Sequence, residues 1–96
     1  MTYSVVFLSD AYLDILNAKE YYEGQAKGLG IRFGSEVDAT ISRIAINPQA
    51  FSTRYRELRA AKLRHFPYLI YYKLDLANTT IKILRVFNTY QKLPWS

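Results

Sequence analysis

The sequence predicts an α+β fold in which an N-terminal strand is followed by an antiparallel helical hairpin packed on one face of a mainly antiparallel sheet. Three observations predict it. A short β-branched and aromatic run opens the chain. Two apolar stripes at helical spacing follow, divided by a glycine-containing break, and after Pro48 the apolar period falls to two. The element order is β-α-α-β-β-β-β, with one domain over 1–96.

The first strand is TYSVVFL, Thr2 to Leu8. Ser9 stands where an N-cap belongs, and Asp10 and Asp14 fall in the first turns, where carboxylates suit the positive end of the helix dipole. Ala11, Ile15, Ala18 and Tyr22 make one buried stripe, and the GQAKGLG stretch ends the helix near Gln25. A second helix runs from about Leu29 with the stripe Phe33, Val37, Ile41 and Ile44, and stops at Asn47-Pro48. Gly34 inside it costs about 1 kcal/mol relative to alanine, so it is expected where the two helices approach closely. Short strands are expected in TRYREL and AKLRHF, separated by a brief turn, and stronger ones in YLIYYKL (68–74) and TIKILRVFNTY (80–90). DLANT, with Asp75 and Asn78, supplies the hairpin turn between the last two.

The chain has no cysteine, which excludes a disulfide scaffold, Cys-ligated zinc and thiol catalysis. Its first residues lack the basic start of a signal peptide, and its apolar runs fall far short of the roughly 20 residues of a membrane span. A cytoplasmic protein without membrane contact is expected. The net charge of +5 is unevenly placed. Residues 1–50 carry four basic and six acidic side chains, whereas residues 51–96 carry nine basic against only Glu57 and Asp75. That asymmetry points to a polyanion or an acidic protein as partner of the second half. Period two puts Arg54 and Arg56 on one side of their strand and Lys62 and Arg64 on one side of theirs. Like charges across strands destabilise a sheet, so a cationic face opposite the helices is expected to serve a partner.

The ordered set of local motifs resembles the RelE/ParE superfamily of toxins from type II toxin–antitoxin systems. The matching features are the YY late in the first helix, G-x-R-F opening the second and NP closing it. They continue through LRHFPYLIYY and the ending IKILRVFNT…PW, so the likeness covers essentially the whole chain. FPY followed by a YY strand resembles the ParE-like side more than the RelE-like side. The resemblance implies a small toxin neutralised by an antitoxin encoded beside it. ParE-like members are associated with poisoning DNA gyrase, RelE-like members with cutting mRNA on the ribosome.

Metal-free RNA cleavage needs a base for the 2′-hydroxyl, cations around the developing phosphorane and an acid for the leaving oxygen. Lys62, Arg64 and Arg85 offer the cations. The position matching the superfamily's strand arginine, however, is Tyr68. The cation after the last strand's valine is replaced by Thr89, and the terminal tyrosine is matched by Trp95, which exchanges no proton with phosphate. Tyr90 and Tyr71 are the substitutes on offer. The histidine many ParE-like proteins carry after the last strand is Asn88 here. His65 is the one histidine, which builds no ordinary metal site, and no cofactor is expected. Asp10 and Asp14 read as a solvated, dipole-facing pair. For Tyr21 and Tyr22, and for Tyr71 and Tyr72, two readings stand side by side: one of each pair in the core and the other at an interface, or all four at the edge of the core with their hydroxyls in water.

These observations lead to a ParE-like toxin that acts by binding a target, DNA gyrase by resemblance, and is neutralised by a cognate antitoxin. The expected partner-binding residues are Arg54, Arg56, Lys62, Arg64, Arg85, Tyr90 and Trp95. Two readings stand beside it: a ribosome-dependent mRNA endonuclease, and a non-toxic partner-binding module.

Overall fold

The computed structural model describes residues 3–90. The elements follow the expected order: β1 (Ser4–Phe7), α1 (Ser9–Gln25), α2 (Leu29–Ile46), β2 (Thr53–Tyr55), β3 (Leu58–Lys62), β4 (Tyr68–Asp75) and β5 (Thr80–Asn88). The sheet runs β1-β5-β4-β3-β2. β1 lies parallel to β5, and every other pairing is antiparallel. The helical hairpin covers one face. Ala11 and Ala18 of α1 and Phe33, Val37 and Ile44 of α2 pack there against Ala61, Ile70, Tyr72, Ile81, Ile83 and Val86 of the strands. Both predicted helical stripes are in this core, with Ile15, Tyr22 and Ile41 half-buried at its edge.

The helix ends are held differently from what the sequence suggests. Ser9 does not cap α1. Leu8 occupies the N-cap, with no side-chain cap bond, because its N–H is still tied to the Ile83 carbonyl of β5 at 3.0 Å. The chain therefore turns into the helix at Leu8, and Ser9 is already helical. At the start of α2, Gly28 adopts a left-handed φ of 86°. The first free N–H groups there are satisfied from the neighbouring helix: Glu23 accepts from Gly28 and Gly30 at 3.0 Å each.

Close approach of the helices falls at Gly30, not at Gly34. A Cβ on Gly30 would lie 2.6 Å from the Lys19 carbonyl oxygen, whereas one on Gly34 would meet only the Lys19 side chain, at 3.3 Å or more. Gly30→Ala is expected to force the backbones apart at about 1–3 kcal/mol, lowering the melting temperature by roughly 5–20 °C in a domain of this size. Gly34→Ala is expected to be neutral or stabilising by up to about 1 kcal/mol, since the lysine swings aside and helix propensity improves. Thermal melts of the two variants check this; the reverse order would contradict it.

The late strands differ in bounds from the sequence reading. β2 stops at Tyr55, because Arg56 turns the chain with a φ of 51°. Arg59 and Ala60, expected in the brief turn, are strand, and Leu58, expected to end one strand, begins the next. β3 then ends at Lys62, so Arg64 and His65 lie in the loop before β4. β5 ends at Asn88, where the Thr89 N–H donates to the Pro67 carbonyl at 2.7 Å. The loop between α2 and β2 is fixed from below. The Tyr72 hydroxyl donates to the Pro48 carbonyl at 2.6 Å, and Arg59 donates to the Phe51 carbonyl at 2.6 Å. Burial pushes the Tyr72 phenol up to about 12, with Arg59 pulling the other way.

Candidate functional site: the outer face of the sheet

Strand alternation sends every second side chain away from the helices. On that outer face Ala60 of β3, Tyr71 of β4 and Phe87 of β5 form a second, smaller buried cluster with Leu69 against it. Tyr71 is thus buried, at 4% exposure, like its neighbour Tyr72 at 0%. Tyr21, by contrast, is 59% exposed, and Tyr22 is half-buried against the core.

Lysines rise around this apolar patch. Lys73 of β4 and Lys82 of β5 are direct cross-strand partners, and both are exposed. Exposed Lys62, at the end of β3, is paired with Leu69 on the same face. Arg56 approaches from the β2–β3 turn, lining a shallow pocket with Tyr55, Glu57, Leu58 and Lys73. Glu57 contacts Lys73 at 3.4 Å, but both are exposed, and such a pair contributes little. Lys73 and Lys82 were not singled out from the sequence. Their signal was there, in the single lysine that interrupts each apolar strand at the outward parity.

The cations expected to converge do not form one surface. Arg54 is exposed at a register shift in β2, between Thr53 and Tyr55, where alternation no longer sets its side. Arg64 leaves the sheet for the α2 side, where it lines a cleft with Arg32, Arg43 and His65. Tyr90 is 86% exposed just past β5, its N–H donating to the Asn88 side-chain oxygen. Trp95 lies outside the described residues.

Arg85 does reach the outer face, but only because of a bulge. Tyr71 pairs with Arg85 and Tyr72 with Ile83, leaving Leu84 extra. The guanidinium lies over the Phe87 ring, 4.3 Å from its centroid, and is clamped by Asp14 of α1. Arg85 Nε and Nη2 donate to the two carboxylate oxygens at 2.8 and 2.9 Å. Asp14 also accepts the Val86 N–H at 2.9 Å, on the edge of β5 that β1 has stopped covering. This bidentate bond raises the Arg85 pKa further above its ordinary value, against the opposing effect of burial. Asp14 therefore bonds the sheet rather than standing on a solvated face, and Arg85 is held in place by it.

His65 is anchored the same way. Its main-chain N–H donates to Glu36 Oε1 of α2, and its Nδ1 lies 2.8 Å from Oε2. Burial alone would push the Glu36 carboxyl up. The His65 main-chain and ring bonds, its charge and the Arg64 main-chain N–H outweigh that and hold the carboxyl below its ordinary value. A lowered carboxyl contributes stability that is complete above the ordinary carboxylate range and drains away as pH falls through it to the folded value. Glu36→Gln is expected to flatten the acid limb of stability, read as the denaturation midpoint between neutral pH and pH 3. An unchanged limb would contradict it.

The profile of a family described as the ParE toxin of the type II toxin–antitoxin system parDE matches residues 5–93. The chain belongs to the ParE toxin family. Its fold is also that of solved toxins. A chain of the chromosomal ParDE system from P. aeruginosa superposes with a TM-score of 0.74 at 14% identity, over 91% of this chain and 96% of that one. A chain of the RelBE2 toxin–antitoxin complex from Mycobacterium tuberculosis gives 0.64 at 20% identity, over 92% and 99%. One from the intact E. coli RelBE complex gives 0.62 at 13%, over 93% and 99%. Among curated protein sequences none matches this chain. This ParE-family toxin has, among the described residues, no helix long and apolar enough to cross a membrane and no cluster of metal-ligating side chains.

Proposed function

We propose that this ParE-family toxin acts by binding an anionic surface of its cellular target, and that a cognate antitoxin, docked on another face of the toxin, holds it inactive. The observation that carries the binding mode is the opposed Lys73–Lys82 pair, flanked by Lys62 and Arg56. Directly opposed like charges cost a sheet stability, and an anionic partner is what offsets that cost. The target we assign is DNA gyrase, which the family's ParE-like members are associated with poisoning.

The endonuclease reading draws less support. Arg85, offered as a cation for the phosphorane, is spent on Asp14, and Tyr71, offered as an acid, is buried beneath the lysines. Tyr90 and the expected partner contacts Arg54, Arg56 and Lys62 remain on the surface and belong to the binding proposal.

The antitoxin is assigned a different surface. β1 is an edge strand, and Phe7, Leu8, Tyr12, Leu13 and Leu16 beside it are 39–57% exposed. So much apolar side chain along one strand edge and one helix flank suits a protein partner. The solved complexes of similar fold, RelBE2 and RelBE, pair each toxin with an antitoxin.

Induction without antitoxin, followed by a supercoiling assay on purified protein and primer extension on translated messages, tests the proposal. Growth arrest with inhibited supercoiling and uncut messages is expected. Arrest with unimpaired gyrase would remove that target, discrete message cuts would replace binding by catalysis, and no arrest would leave a non-toxic module.

A further inference from the structure

A second cationic feature lies on the helix side of the molecule, away from the outer-face lysines. The outward side of α2 and the loop after β3 enclose a cleft of about 500 Å³. Arg32 stands at one end and Arg43 at the other, eleven residues apart, which at 1.5 Å per helical residue is about 16 Å. Arg64 and His65 form the wall between them, fixed at the level of Glu36. The floor between the arginines is made of Ser35 and Ala39, small enough for a polymer backbone to lie close. Arg43 is pre-positioned: its Nη2 donates at 3.2 Å to Thr40 Oγ1, and the Thr40 hydroxyl is itself bonded to the Glu36 carbonyl at 2.8 Å. Glu36 is the sole acid among the described lining residues, and both its oxygens already accept from His65.

We infer that this cleft holds the phosphate backbone of a nucleic acid strand. Three guanidinium groups at successive levels along about 16 Å match a ligand with charges repeated along its length rather than a single phosphate. Arginine forks favour phosphate oxygens. The described lining includes no Phe, Tyr or Trp ring on which a base could stack, and its one imidazole, His65, is tied at Nδ1 to Glu36, so the contact is to backbone and independent of base sequence. An acidic peptide would share the charge. It would also seek apolar anchor pockets, and the one large apolar lining residue is Ile31, which stands 72% exposed. The inference does not depend on which target the toxin has.

Anisotropy of a labelled 20-nucleotide DNA strand, titrated with the full chain over a range of salt concentrations, tests it. Arg32→Ala, Arg64→Ala and Arg43→Gln are each expected to weaken binding several-fold and to reduce the slope of log affinity against log salt by about 0.7 for a single strand. The first two replace exposed side chains, so folding is not at stake; Arg43→Gln keeps a donor for Thr40. Lys27→Ala, one exposed charge removed from the α1–α2 turn, is expected to leave the slope unchanged. The inference is overturned if the arginine variants keep the parental slope, if Lys27→Ala lowers it equally, or if polyglutamate displaces the strand at matched charge.

Discussion

Asp14→Ala is expected to destabilise the toxin by about 3 kcal/mol, lowering its melting temperature by roughly 15 °C. One carboxylate satisfies three donors: both nitrogens of the Arg85 fork and the Val86 N–H. Its removal leaves a half-buried guanidinium without its counter-ion and a strand N–H without an acceptor. Arg85→Ala is expected to cost less, about 1–2 kcal/mol, because Asp14 keeps the Val86 N–H and part of its carboxylate meets water. A double-mutant cycle read by chemical denaturation separates the two contributions. Equal and small losses for both variants would show that Arg85 is an ordinary surface cation, restoring it to the binding face.

The second large effect belongs to Phe33. Its ring is fully buried and lies 5.0–5.3 Å, centroid to centroid, from Tyr22 of α1, Phe66 of the loop after β3 and Tyr68 of β4. Phe33→Ala is expected to cost about 3–5 kcal/mol, the lost burial plus the cavity left behind. It is also expected to loosen the segment that carries Arg64 and His65, since Phe66 packs on the same ring. Hydrogen exchange should show residues 63–68 losing protection along with α2. A loss near 1 kcal/mol with that loop unchanged would mean the aromatic cluster is not what joins the layers.

Local signals made the helical layer legible. α1 ends at Gln25 and α2 spans Leu29–Ile46 because Gly28 and Asn47-Pro48 punctuate the chain where helices must stop, and no distant contact overrides them. Distant contacts decided what the sequence could not show. Ser9 looked like a cap, but β5 holds Leu8; Gly34 looked like the close approach, but which glycine faces Lys19 depends on how the helices cross. Arg85 is the clearest case. Simple alternation from Ile81 and Ile83 would place it under the helices, the Leu84 bulge moves it to the outer face, and Asp14 arrives from 71 residues away to bind it. The cationic character of the second half was visible in composition. Its division between the lysine face and the α2 cleft was not, because β3 ends at Lys62, two residues before the arginine expected beside it.

The account stands most directly on the outer-face lysines. Lys73→Ala with Lys82→Ala removes the opposed pair without touching either buried cluster, so folding should be preserved, or improved by relieving repulsion. Induced without antitoxin, the double variant is expected to lose growth arrest while melting within a few degrees of the parent and still copurifying with its antitoxin. Full arrest by a folded double variant would contradict the claim that this toxin works through its lysine face.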